Sequence, residues 1–176
     1  MDLQEAIRER RSIRKFSAEP VSFDLLLDLV RAGIWAPSAG NAQSWRFVIV
    51  DDTTTLRRIK AVSPGMLATP AAVIAVCQDK DAAFKRGSTL GRDVGSVMDA
   101  AMAAQNILLA AYASGLGTCA VLSFHNASVR QFLGLPEYVH PELLIAVGVP
   151  AIDPPAPKRI EEGIIYRNSM SASSIS

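Results

Sequence analysis

A long apolar segment, Val94–Leu116, limits the folds that this chain can adopt. It is rich in alanine, and its length and composition imitate a membrane span. It also contains Asp99, Gln105 and Asn106, and a carboxylate in mid-span costs roughly 2.5–3.5 kcal/mol on insertion scales. We therefore predict a helix that is buried in protein. We expect its two adjacent amides to be structural, holding a loop in place or bonding across an interface.

Short runs of β-branched and apolar residues predict the strands that pack against this helix. These strands are expected at residues 46–50, 71–77, 118–122 and 142–149. Further helices are predicted at residues 2–10, 23–35, 53–62 and 126–133, and residues 78–92 are predicted to be a polar, mobile loop. The elements do not form a clean βαβ series, so a mixed α+β layer fold fits better than a doubly wound sheet.

The charges of the chain are almost balanced, with 18 Lys+Arg and 17 Asp+Glu. This balance gives no overall bias toward nucleic acid, so any basic site has to be local. Cys77 and Cys119 both lie in apolar segments, which indicates two buried, reduced thiols in a cytoplasmic protein. The first residues lack the apolar core of a secretory signal. We therefore expect a cytoplasmic protein with neither a nucleic-acid nor a membrane partner.

Motifs for side-chain chemistry are scarce. The two histidines, His125 and His140, have no ligand spacing to a cysteine or carboxylate, so no metal site is predicted. There is no Gly-x-Ser-x-Gly elbow and no P-loop, and the Gly-Leu-Gly at 115–117 follows a helix rather than a strand. This scarcity favours a cofactor that carries its own chemistry.

The first candidate site is the basic stretch Arg-Arg-Ser-Ile-Arg-Lys-Phe at residues 10–16. If it is extended, Arg10, Ser12 and Arg14 share one face and Arg11, Ile13 and Lys15 the other. Two guanidinium groups and a hydroxyl on one face would make a phosphate cradle. The alternative is a solvated basic turn at the end of the first helix, where cations offset the helix dipole.

The second candidate site is the polar loop Pro-Ser-Ala-Gly-Asn-Ala-Gln-Ser-Trp at residues 37–45. Ser38, Asn41 and Gln43 both donate and accept hydrogen bonds, which suits the edge of a heterocycle. The alternative is a helix-capping loop that is followed by a core tryptophan, Trp45.

Taken in order, these segments resemble the nitroreductase family of FMN-dependent flavoproteins. The resemblance rests on the stretches at 10–16 and 36–50, on "DAAMAAQNILLAAYASGLGTC", on "LGLPEY" with "LIAVGVP", and on "PKR" before "EEGIIYRN". It implies an α+β three-layer sandwich with a small, mostly antiparallel sheet, in an intertwined homodimer with two FMN molecules at the interface. It also implies one FMN-binding domain at residues 1–168, and we expect residues 169–176 to be a disordered tail.

The resemblance also implies the FMN-binding residues. Arg10 and Ser12 would lie at the phosphate and ribityl end, and Arg14 nearer the pyrimidine edge. The other implied residues are Arg11, which is undecided between phosphate and solvent; Pro37, Ser38, Asn41 and Gln43 from the partner chain; Leu122 and Ser123, through their backbone at flavin N5; and Lys158 and Arg159 at the phosphate, with a register uncertain by one or two residues. Ile13 and Phe16 are expected to anchor the segment, and Lys15 to be solvated.

The activity that the resemblance implies is an FMN-dependent NAD(P)H oxidoreductase. NADH or NADPH would pass hydride to flavin N5 and leave, and a nitroaromatic, quinone or related acceptor would then take the electrons, in a ping-pong mechanism without a catalytic side chain. Many longer relatives have a Glu-Gly pair where Leu122-Ser123 stands, so substrate preference does not transfer. A specialised flavin enzyme (a dehalogenase, ring oxidase or flavin-degrading enzyme) and a non-catalytic flavin carrier remain alternatives.

Overall fold

The computed structural model describes residues 2–170. Its helices are α1 (Leu3–Glu9), α2 (Phe23–Ile34), α3 (Thr53–Ala61), α4 (Lys80–Leu90), α5 (Ser96–Ala113) and α6 (Asn126–Phe132). Its strands are β1 (Trp45–Val50), β2 (Ala72–Asp79), β3 (Gly117–Val121) and β4 (Val139–Gly148). A 3₁₀ turn, Ala39–Asn41, precedes β1, and a π-helical turn, Gly91–Gly95, joins α4 to α5. Residues 171–176 of the predicted tail lie outside the described part of the chain.

The four strands form one antiparallel sheet in the order β1-β2-β4-β3. Strand β4 is the longest, and it links the two ends of the sheet. At one end Val139 pairs with Asp79 of β2, and at the other Gly148 pairs with Gly117 of β3. This register fixes which loops meet at each end of the sheet.

Helices cover both faces of the sheet. Ile74 and Val76 of β2 pack in one cluster with Leu26 and Leu29 of α2 and with Ile107 of α5. The intervening residues of β2 point to the opposite face, because side chains alternate along a strand. There, Val73, Ala75 and Cys77 pack with Leu56 and Ile59 of α3 and with Val129 of α6. The predicted α+β three-layer sandwich with a small antiparallel sheet is confirmed.

The predicted loop at residues 78–92 is wrong. Strand β2 continues to Asp79, and α4 follows at once, because the Asp79 carboxylate caps it by accepting the Ala82 N–H at 2.8 Å. The helix is irregular at Gly87 and at Ser88, which has a φ of 50° and a ψ of −150°. The segment with this polar, glycine-containing composition is therefore a kinked helix rather than a loop.

Helix α5 is the apolar segment identified from the sequence. Asn106 is half-buried, and its Nδ2 donates to the Ala32 carbonyl near the end of α2 at 3.2 Å, as expected of an amide that fixes a neighbouring element. Gln105 is exposed in the described chain, and its expected structural role remains a prediction. By length and composition alone the continuous helical run Lys80–Ala113 is able to cross a membrane, a test that core helices of soluble proteins also pass.

Candidate functional site

The basic stretch at residues 10–16 is held against the ends of β3 and β4 by its backbone. The Ile13 N–H donates to the Thr118 carbonyl at 2.8 Å, and the Ser17 N–H donates to the Val149 carbonyl at 2.9 Å. The Lys15 carbonyl accepts the Ala151 N–H at 3.0 Å. The stretch is therefore an ordered part of the fold and not a solvated turn.

Two paired glycines make room for its apolar side chains. A Cβ atom on Gly117 would lie 2.8–2.9 Å from side-chain atoms of Ile13, and one on Gly148 would lie 2.9 Å from the Phe16 ring. These glycines pair with each other across β3 and β4, so the sheet carries no side chain at the two positions that the stretch covers. Ile13 is buried and Phe16 half-buried, so both anchor the stretch as expected, and Lys15 is exposed.

The side chains of this stretch form one wall of a cavity of about 330 Å³. We call it the Arg–Pro cavity; its lining residues are Arg10, Arg11, Ser12, Arg14, Pro154, Pro155, Pro157 and Arg159. No carboxylate lines it. The late basic segment thus meets the early one through Arg159. Lys158, the other predicted contact, is not in the lining, and both side chains are exposed.

Arg11 differs from the other arginines in the lining. Its guanidinium donates to the Arg8 carbonyl and to the Arg10 carbonyl, and it pairs with Glu9 Oε2 at 3.1 Å. It therefore satisfies the free carbonyls at the end of α1. This agrees with the alternative interpretation, in which cations of the stretch offset the helix dipole. Strict alternation is wrong here, because Arg11 turns back on α1 and shares the cavity with Arg10 and Ser12.

Arg10, Arg14 and Arg159 make no side-chain hydrogen bond or ion pair within residues 2–170. The Nε atom of Arg10 is buried without a partner. Burial, followed by the positive charges of Arg159 and Arg11, lowers the pKa of Arg10. Three arginines that line one cavity, with no carboxylate in its lining among residues 2–170, favour a binding site for an anionic ligand.

Arg14 extends the site away from the cavity. It also lines a narrow cleft with Cys119, Val121 and residues 65–68. The predicted flavin-contacting pair, Leu122 and Ser123, follows Val121 directly, and the Ser123 carbonyl accepts the Gly65 N–H at 3.2 Å. Leu122 is 74% exposed. Arg14 therefore links the cationic cavity at Arg10 to a cleft beside Val121, the residue that precedes Leu122.

The polar loop at residues 37–45 lies at the opposite end of the sheet. The Ser44 carbonyl accepts the Asp79 N–H at 2.8 Å, and Asp79 pairs with Val139 at the start of β4. The basic stretch meets the other end of that strand, beside Gly148, and at 3.3 Å per residue the nine steps between them span ~30 Å. The loop residues Pro37, Ser38, Asn41 and Gln43 are absent from the lining of the Arg–Pro cavity.

Comparison with known proteins places this architecture. The sequence model of the nitroreductase family matches residues 7–68 and 58–149, most of the chain. The chain belongs to the nitroreductase family. A candidate NADH dehydrogenase/NAD(P)H nitroreductase of Methanothermobacter thermautotrophicus is 35% identical over 161 residues, covering 88% of this chain and 80% of the relative.

Solved structures of the family share the fold. A candidate NADH dehydrogenase/NAD(P)H nitroreductase from Bacteroides thetaiotaomicron matches with a TM-score of 0.83 and 31% identity, over 94% of this chain and 96% of its own. An FMN-dependent nitroreductase from Clostridium difficile R20291 matches with a TM-score of 0.80 and 23% identity, over 94% and 99%. At 23% identity, the similarity to the Clostridium difficile protein shows a shared fold.

One feature of this nitroreductase-family site, its proline lining, was not predicted from the sequence. Pro154, Pro155 and Pro157 line the Arg–Pro cavity, although the sequence indicated only an extended path for them. Trp45 is a core residue, packed with Ala36 and Ala103, which agrees with the alternative interpretation of that position. Within residues 2–170 no group of three or more His, Cys, Asp or Glu side chains is placed to hold a metal ion.

The two cysteines of this family member are buried and unpaired. Burial, with a smaller effect of the Glu142 charge, raises the pKa of Cys77 to about 12. Burial also raises the pKa of Cys119, although the charges of Arg14 and Arg10 act in the opposite direction. Raised pKa values leave little of the reactive thiolate at pH 8.

We therefore predict that neither thiol reacts rapidly with Ellman's reagent at pH 8 in the folded protein. Both should react within the mixing time after denaturation in guanidinium chloride, which calibrates the count. A thiol that reacts in seconds in the native protein would contradict the described burial of Cys77 and Cys119.

Proposed function

We propose that this chain is an FMN-dependent NAD(P)H oxidoreductase that works as a homodimer in the cytoplasm. Its family membership and the names of its relatives support an oxidoreductase. The observation that carries the cofactor assignment is the Arg–Pro cavity, where Arg10, Arg14 and Arg159 face one space without an anionic partner among residues 2–170. Electron acceptors of the nitroaromatic and quinone classes are part of the proposal.

The residues of the cavity fit the phosphate of FMN. A phosphate monoester carries nearly two negative charges at neutral pH and strong acceptor oxygens. Arg10 offers a buried Nε without a partner, Ser12 offers a hydroxyl, and Arg159 closes the cavity from the other chain segment. In this proposal these three residues hold the phosphate, and Arg11 keeps its bonds to α1.

Arg14 and the segment after β3 suit the other end of the cofactor. Arg14 lies between the Arg–Pro cavity and the cleft beside Val121, where its positive charge would favour electron-rich flavin. When bound, FMN would supply the atom that exchanges hydride with NAD(P)H, so the chain needs no nucleophile or metal of its own. The chain's contribution is position and positive potential.

The separation of the two halves of the site supports a homodimer. The loop with Asn41 and Gln43 lies ~30 Å along β4 from the basic stretch, so in this proposal the loop serves the FMN of the partner subunit. Exposed apolar side chains also lie on the adjacent helices α1 and α5: Leu3, Ile7, Val97, Met98 and Met102. Such a surface suits burial against a second copy of the chain.

An absorbance spectrum of the purified protein, saturated with FMN and freed of excess, tests this function. We expect a flavin spectrum with about one FMN per chain, rapid bleaching on anaerobic addition of NADH or NADPH, and return of the colour with a quinone. A protein that does not retain FMN contradicts the cofactor assignment. Retained FMN that neither NADH nor NADPH bleaches indicates a flavin carrier instead of an oxidoreductase.

A further inference from the structure

The polar loop before β1 is held in an unusual backbone conformation. Gly40, Asn41 and Gln43 all have φ values in the left-handed region, between 47° and 56°. For Asn41 and Gln43, which carry side chains, this conformation is unfavourable unless other contacts impose it. Strained, exposed polar residues of this kind are typical of binding loops.

Few contacts hold the loop in place. The Ser38 hydroxyl accepts the Gln43 N–H at 3.1 Å, and Gln43 Nε2 donates to Asn41 Oδ1 at 2.8 Å. Beneath the loop lies a cavity of about 310 Å³ whose lining includes Ala42, Ala83 and Leu90. Because this space borders the loop, packing supports it only in part, and its hydrogen bonds contribute to its position.

A side-chain hydrogen bond ties the start of the loop to the core of the molecule. Asp99 in the first turn of α5 is only 2% exposed, and its Oδ1 accepts the Ala39 N–H at 3.0 Å. Its second oxygen, Oδ2, is buried and has no hydrogen-bond partner among residues 2–170. A buried carboxylate with one oxygen that lacks a hydrogen bond destabilises the fold. Helix stability alone therefore does not explain an aspartate at this position.

We propose that Asp99 is a positioning residue for FMN binding. Its hydrogen bond fixes Ala39 at the start of the 3₁₀ turn. The position of Ala39 in turn determines the positions of Asn41 and Gln43. This inference rests on the proposed function, in which those two side chains complete the FMN site of the partner subunit. Asp99 itself does not touch the cofactor; its effect passes through the loop.

The test is a mutant cycle between Asp99 and the pair Asn41 and Gln43, read out as FMN affinity by quenching of flavin fluorescence. Asp99→Ala should raise the FMN dissociation constant about tenfold, since a hydrogen bond to a charged group is lost and the Ser38–Gln43 bond remains. Asp99→Asn keeps an acceptor oxygen and should restore affinity to within about threefold of the original protein.

The coupling decides between positioning and simple stabilisation. In an Asn41→Ala, Gln43→Ala background, Asp99→Ala should weaken FMN binding less than twofold, because both loop contacts that it positions are already gone. An equal loss in both backgrounds, or no loss from Asp99→Ala, overturns the proposal. The proposed function stands in either case, provided the original protein binds FMN and is reduced by NAD(P)H.

A second variant covers the possibility that Asp99→Ala does not fold. Ala39→Pro removes the N–H donor from the loop side and leaves the buried carboxylate in α5. Proline is acceptable at the first residue of a helical turn, and Ser38, with φ −139° and ψ 148°, has the extended conformation that precedes proline. The same tenfold loss is expected, and unchanged FMN affinity in this folded variant would overturn the proposal.

Discussion

Replacing Arg10 and Arg14 together by alanine should raise the FMN dissociation constant about 100- to 10,000-fold while the fold persists. A hydrogen bond to a charged group contributes about 1.5–3 kcal/mol, so two such bonds correspond to about two to four decades of affinity. Arg10 is half-buried and Arg14 is exposed in the chain, so Arg10 should carry the larger share. Fluorescence titration with FMN measures the effect.

Lys15→Ala is the matched control for this pair. Lys15 belongs to the same stretch, and its replacement removes one positive charge, as each single arginine variant does. It is exposed and is absent from the lining of the Arg–Pro cavity. Its loss should change FMN affinity less than threefold. Equal losses for Lys15→Ala and Arg10→Ala would mean that general positive potential binds the cofactor. Unchanged flavin content in the double variant would mean that the cradle is misplaced.

Adding one methyl group under the basic stretch should disturb both stability and FMN binding. In Gly148→Ala the new Cβ lies 2.9 Å from Cδ1 of the Phe16 ring and 3.3 Å from the Ala71 backbone nitrogen. Such overpacking costs about 1–3 kcal/mol. Because Phe16 has to move, the Arg10–Arg14 backbone should shift with it, and we expect at least tenfold weaker FMN binding together with a lower denaturation midpoint.

A compensating change separates this mechanism from a general loss of stability. Phe16→Ala removes the ring atoms that clash, so Gly148→Ala should cost much less in a Phe16→Ala background than in the original protein. Gly87→Ala is the control glycine, since its Cβ would meet nothing within 4 Å and its φ of −134° is ordinary for alanine. If Gly148→Ala is as harmless as Gly87→Ala, the close packing of Phe16 on β4 is incorrect.

The layers of this fold were predictable because the relevant signals are local. Each strand is a short apolar run, and α5 is an apolar helix whose carboxylate, Asp99, is costly in a membrane span. The prediction for residues 78–92 was wrong because the sequence of helix α4 shows no apolar periodicity. The Asp79 cap at its start was not recognised from the sequence. The cap, the buried Ala83 and the Lys80–Glu142 ion pair together support a helix in this polar segment.

The candidate site was predictable only in part, because its assembly depends on contacts between distant segments. The sequence indicated that Arg10, Ser12 and Arg14 share a face, yet the choice of Arg159 over Lys158 depends on how the proline-rich segment folds back. The diversion of Arg11 to the end of α1 depends on rotamers rather than spacing. The bond from Asp99 to Ala39 joins residues 60 positions apart, and no local pattern could reveal it.

The central claim is that one FMN is held by the arginines of one chain and the loop of its partner. It is tested most directly in a mixed dimer of two differently tagged chains, one carrying Arg10→Ala and Arg14→Ala and the other Asn41→Ala and Gln43→Ala. Pairing leaves one site with all its residues intact and one site that lacks both sets.

Both parent homodimers should bind FMN weakly, whereas the purified mixed dimer should regain one tight FMN that NAD(P)H reduces. If each chain held its own FMN, no intact site would form in the mixed dimer. A mixed dimer that binds FMN no better than its parents would therefore contradict the two-chain site.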